Sequence, residues 1–119
     1  MEKKNTYFID IDGTIFYYRN FNDYKTSEAR PIKSSKQYLQ QIWDDGHYIA
    51  LTTARPEELR AFTEKELQIA NIPYNQLVMG IERGPRFLIN DMEFNSNQKR
   101  AFAINVKRDE GITTGNKKF

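Results

Sequence analysis

The feature that most constrains this chain is an alternation: short β-rich apolar runs take turns with stretches whose apolar residues recur at helical spacing. Residues 6–11 predict a first strand with Asp10 at its end, and Gly13 breaks the run. Residues 15–18 are again apolar and aromatic, and predict a short hairpin-like flap that continues through Phe21 and Tyr24 to Pro31. Ser34 or Ser35 then offers an N-cap. Tyr38, Leu39, Ile42 and Trp43 share one helical face, and Gly46 is placed to stop the helix. Residues 48–51 lead into Thr52 and Thr53 as a buried strand. Pro56 opens a second helix, with Glu57 and Glu58 at its positive dipole end. Its apolar side holds Leu59, Phe62, Leu67 and Ala70, and Asn71 and Pro73 end it. Short strands over 77–79, 87–89 and 101–106 complete the order, and the polar chain beyond Gly111 is expected to fray. Such alternation predicts an α/β sandwich around a mainly parallel sheet.

The bulk numbers narrow the function classes. A length of 119 residues suits one domain, here 1–112, with a polar tail over 113–119. The chain has no cysteine, which excludes a disulfide scaffold, thiolate zinc sites and thiol catalysis. Lys and Arg number 18 against 16 Asp and Glu, so a net charge of +2 gives no electrostatic argument for a nucleic-acid or membrane partner. The N-terminal apolar run is too short and too acidic for a signal peptide, and no stretch reaches a transmembrane length. The expectation is a soluble, cytoplasmic chain.

In open α/β sheets, ligands bind beyond the carboxyl ends of the strands. Three polar groups fall at such ends: Asp10 with Asp12, Thr53, and Asn90 with Asp91. The sharpest is DIDGT, residues 10–14. Its two carboxylates in one crevice repel, which favours a hard, oxygen-loving cation between them. Asp10 is then placed to attack phosphorus and form an aspartyl-phosphate, and Asp12 to move the proton. Gly13 allows the tight turn that brings backbone N–H groups toward a phosphate. His47, at the opposite end of its strand, reads as structural, and most of the flap aromatics read as packing.

DIDGT resembles the first motif of the haloacid-dehalogenase-like phosphohydrolases. ALTTARP (50–56) resembles their second motif, and FLINDM (87–92) their acidic fourth. The resemblance implies a Rossmann-like three-layer sandwich with no inserted cap domain, since neither gap between the motifs has room for one. It implies a Mg2+-dependent phosphomonoester hydrolase with Asp10 as nucleophile and Asp12 as general acid and base. Thr53, which directly precedes Ala54, holds the phosphoryl group. Gly13, Thr14, Ala54 and Arg55 line the substrate phosphate, and Asp10, Asp12, Asn90 and Asp91 hold the metal. The family's fourth motif commonly carries two adjacent Asp; here the first is Asn90, which offers an oxygen without charge. The third-motif cation falls to Arg83 or Arg86, of which Arg83 is favoured because its glycine-flanked loop can reach across. An open, capless site suits a small-molecule or polymer-linked phosphate ester, or a covering subunit in a homo-oligomer. A phosphotransferase sharing the intermediate and a non-catalytic binding module are the rival readings.

Overall fold

The computed structural model describes residues 4–113. The expected tail over 113–119 therefore lies, apart from Thr113, outside the described residues. The fold is α/β. Strand β1 (Thr6–Asp10) leads through the flap to helix α1 (Lys33–Asp44), then strand β2 (Tyr48–Thr52), helix α2 (Arg60–Ile69) and strand β3 (Gln76–Val78). The three strands are parallel and ordered β1-β2-β3, with Ile9 opposite Leu51 and Leu51 opposite Leu77.

Alternation along the strands sorts the side chains onto two faces. Ile9, Ile49, Leu51 and Leu77 join Leu39 and Ile42 of α1 and Leu67 of α2 in one core cluster. Crossovers between parallel neighbours are right-handed, so both helices pack on the same side. The other face carries Phe8, Tyr48 and Val78, and among the described residues no α-helix covers it. Helix on sheet, two layers, is what the described chain builds.

Several local expectations meet the structure directly. Gly46, at φ 85°, and Asn71, at φ 55°, stand just past the two helices, where only left-handed backbone lets the chain turn away. His47 is structural: its Nδ1 accepts the Asn5 N–H at 3.0 Å. The flap closes by pairing of 15–17 with 30–32, through Tyr17 N–H to the Arg30 carbonyl and Ile32 N–H to the Ile15 carbonyl. Trp43, expected on the apolar face of α1, is exposed.

Others are corrected. The N-cap of α1 is Ile32, with no side-chain cap. Ser35 is one turn inside, because its hydroxyl is needed elsewhere: it donates to the Thr14 carbonyl at 2.5 Å and accepts the Ile112 N–H at 3.0 Å. The chain therefore does not fray at Gly111; Ile112 is buried in the core. A Cβ on Gly111 would stand 2.3 Å from the Ser34 hydroxyl, so only glycine fits. Pro56 caps a 3-10 turn, Glu57–Leu59, before α2 begins. Residues 87–89 and 101–106 form no strands. The segment 87–105 is an exposed arm whose described hydrogen bonds and ion pairs include local ones, such as Arg100 to Asp91.

A candidate active site at the carboxyl end of the sheet

β1 ends at Asp10, and the chain turns at once. The N–H groups of Thr14, Ile15 and Phe16 all converge on the Ile11 carbonyl, and Gly13, at φ 87°, donates its N–H to the Phe16 carbonyl at 2.7 Å. This winding turns Ile11 into the core and brings Asp10 and Asp12 to the same edge. The N–H groups of Gly13 and Thr14 are consumed in holding the turn, so the backbone cradle expected for a phosphate is not free in this arrangement. Thr14 contributes its hydroxyl instead, donating to Asp10 Oδ2 at 3.3 Å.

Asp10, Asp12, Gly13, Thr14, Val106 and Arg108 line an open cleft of about 250 Å3. The Asp10 side chain keeps 46% of its surface in solvent. Partial burial and the neighbouring Asp12 push its carboxyl above the usual carboxylate range. Two cations stand near. Arg86 reaches to 3.9 Å from Asp10 Oδ1, and Arg108 lies in the cleft wall with its guanidinium 3.9 Å from the centre of the Tyr18 ring. Asp109 anchors this wall: its N–H donates to the Gly13 carbonyl and its carboxylate accepts the Tyr18 N–H at 2.7 Å.

Asp12 is held quite differently. Arg55 grips it with both arms of its guanidinium, Nε to Oδ2 at 2.9 Å and Nη2 to Oδ1 at 2.8 Å, and the Tyr24 hydroxyl donates to Oδ2 at 3.0 Å. Arg55 is buried, and its remaining nitrogen donates to Thr63 at 3.0 Å and to Glu66 at 2.8 Å. Glu66 in turn receives a bidentate pair from Arg19 of the flap, both contacts at 2.9 Å. The guanidiniums of Arg19 and Arg55 both lie against the Tyr24 ring, 4.9 and 4.5 Å from its centre. Burial, then the Asp12 charge, pushes the Tyr24 hydroxyl up to about 12, so it serves as a donor. Five side chains thus form a charge-paired knot that ties flap, β1 turn and α2 together.

Of the residues expected at the site, Asp10, Asp12, Gly13 and Thr14 are brought together. Thr53 is buried just behind, its hydroxyl accepting the Arg55 N–H at 3.1 Å. Arg55 is turned toward Asp12 and away from solvent, with Ala54 half-buried beside it. Arg83 is exposed in its turn, and it is Arg86 that approaches Asp10. Asn90 and Asp91 lie on the exposed arm, where Asp91 faces Arg100 at 3.5 Å. Among the described residues no three acidic or histidine side chains gather as a metal-binding group. Sequence reasoning missed Arg108, Tyr24, Glu66 and Arg19 as site neighbours. The signal was Tyr24 among the flap aromatics, which read mostly as packing, with a wall beside the substrate as the alternative.

Comparison with known proteins adds the fold. No family model matches the chain, and no curated protein matches it with significance. A solved target protein from Vibrio cholerae is similar in structure, with a TM-score of 0.54 at 18% identity, over 72% of this chain and 79% of that one. At that identity the likeness speaks to the fold alone. Among the described residues, no helix is long and apolar enough to cross a membrane.

Proposed function

We propose that this protein is a cytoplasmic, Mg2+-dependent phosphomonoester hydrolase working through an aspartyl-phosphate at Asp10, on a sheet that is the core of a Rossmann-like sandwich. The observation that carries the reading is the unequal treatment of two neighbouring carboxylates. Asp10 faces an open cleft with cations beside it, while Asp12 is fixed by Arg55 and Tyr24. Separated environments for paired carboxyl groups are how acid–base and nucleophilic roles are divided.

In this reading Asp10 attacks phosphorus in line, and the leaving oxygen departs with a proton from Asp12. Water then cleaves the acyl-phosphate as Asp12 takes the proton back. A carboxylate offers about four lone-pair sites. Arg55 and Tyr24 use three of those on Asp12, which leaves one on Oδ1 for the proton. Arg86 takes the role first given to Arg83, and with Arg108 it offsets the charge of an incoming phosphate. Mg2+ typically takes one or two carboxylates, substrate phosphate and water, and the crowding of Asp10 by Asp12 favours a cation there. Asp10 and the Asp12 main-chain carbonyl would hold it, and it would neutralise charge between carboxylate and phosphate. Asn90 and Asp91 join only if the arm moves.

The test is a phosphate-ester panel with Mg2+ present and then chelated. Wild type is expected to release phosphate, and Asp10→Asn to release none. Turnover retained by Asp10→Asn would refute the nucleophile. A second reading, a non-catalytic anion-binding module, is favoured by the closure of Asp12 and by the position of Asp91. Phosphate binding without hydrolysis of any ester would select it.

A further inference from the structure

The arm over 87–105 is the least economical part of this molecule. Phe87, Ile89 and Phe94 keep 86%, 88% and 99% of their surface in solvent, and Leu88, Met92 and Ile104 are exposed beside them. Taking about 200 Å2 for a whole Phe and somewhat less for Ile, Leu and Met, these exposed fractions leave about 750 Å2 of apolar surface in water. Apolar patches on monomers rarely exceed a few hundred Å2. A stretch of this length with no secondary structure inside a small domain is uncommon unless it has a task.

The same chain also leaves a surface that such an arm fits. On the helix-free face of the sheet Phe8 is 58% exposed and Tyr48 43%, with Val78 half-buried beside the small, buried Ala50. One molecule therefore presents both an arm rich in exposed apolar side chains and a sheet face with an exposed apolar strip, Phe8 and Tyr48, beside Asp10 and Thr52. That self-complementarity is what a two-fold pair requires, since each surface is then used once per copy. A foreign partner would need only one of them. The arm's apolar area, about 750 Å2 per copy, with about 200 Å2 more on Phe8 and Tyr48, is the most apolar surface the exchange could bury, and it reaches the roughly 800 Å2 per partner of a standard stable interface.

We infer that two copies of this chain exchange arms, residues 87–105 of each lying across the Phe8–Tyr48 face of the other's sheet. The exchange does not rest on the proposed chemistry, although it would hold Asn90 and Asp91 of each arm on the partner's sheet, and it is tested without an activity assay. Sedimentation of the full chain at tens of micromolar should give twice the mass of one chain. The variant carrying Phe87→Asp and Phe94→Asp should sediment as one chain with an unchanged far-ultraviolet circular dichroism spectrum. The positions are solvent-exposed, so the fold itself has no reason to fail. Because the chain has no cysteine, single cysteines report unambiguously. Copies with Phe8→Cys mixed with copies carrying Phe94→Cys should join through a short bis-maleimide, and Phe8→Cys mixed with Lys65→Cys should not. A single-chain mass at every concentration overturns the exchange, whether the arm then stays bare or serves a different partner. So does a Phe8→Cys, Phe94→Cys double variant that links only within one chain, which would place the arm on its own sheet.

Discussion

The knot around Asp12 and the arm over 87–105 are opposites built from the same chain. In the knot, charged side chains are buried and each carboxylate is matched by a guanidinium: Arg55 serves Asp12 and Glu66, and Arg19 serves Glu66. In the arm, large apolar side chains stand in water, and the ion pair between Arg100 and Asp91 is exposed. Every charge in the knot finds its counter-charge within one molecule, although among the described residues the buried Arg19 Nε has no hydrogen-bond partner. The arm leaves Phe87, Ile89 and Phe94 almost wholly in solvent. Buried charges are paired inside the molecule, whereas an apolar surface can wait for assembly.

The contrast can be broken most severely at its centre. Replacing Arg55 with Met leaves Asp12 and Glu66 without their shared cation, and urea unfolding should show a loss of about 3–5 kcal/mol. Arg55→Lys keeps the charge but not the two-armed grip, and should fall between wild type and Met. Removing Arg19 is milder, since Glu66 keeps Arg55; Arg19→Ala should cost about 2 kcal/mol in the same measurement and speed proteolysis within the flap. The next effect is smaller and of opposite sign. The Tyr38 hydroxyl is buried and, among the described residues, has no partner in good hydrogen-bonding geometry, with the Tyr7 hydroxyl its near neighbour, so Tyr38→Phe should be neutral or stabilise by up to about 1 kcal/mol. Burial pushes that hydroxyl from the usual 10 up to about 12. The unfolded chain thus loses the proton first, and wild type should lose stability as pH rises from 10 to 12 more steeply than the variant. At the weak end, Phe94→Ser at dilutions where single chains prevail should move stability by less than about 0.5 kcal/mol. A larger loss there would mean that the arm already packs on its own domain.

The elements of the core were legible because their signals are local. Apolar residues at helical spacing, with Gly46 past the first and Asn71 and Pro73 past the second, found α1 and α2, and the apolar runs into Asp10 and Thr53 found β1 and β2. The strands expected over 87–89 and 101–106 failed for a definite reason. A run of Phe, Leu and Ile signals β-propensity, but it does not say whether a neighbouring strand exists to pair with. At the site, the turn that gathers Asp10, Asp12 and Thr14 was readable from five adjacent residues. The grip of Arg55 on Asp12 joins residues 43 apart, and Arg19 meets Glu66 across 47. No local pattern encodes such pairs. From its place at a strand end Arg55 reads as a phosphate ligand, and its contact with Asp12 lies beyond any local pattern; that Arg86 rather than Arg83 stands beside Asp10 depends on the loop's path.

The Ser35 hydroxyl has a consequence of its own. A single oxygen on α1 touches both the loop that follows Asp12 and the last described stretch of the chain, through the Thr14 carbonyl and the Ile112 amide. The far end of the polypeptide and the mouth of the cleft are thereby wired to one atom. A pull at residue 112 has a one-hydroxyl route to Thr14.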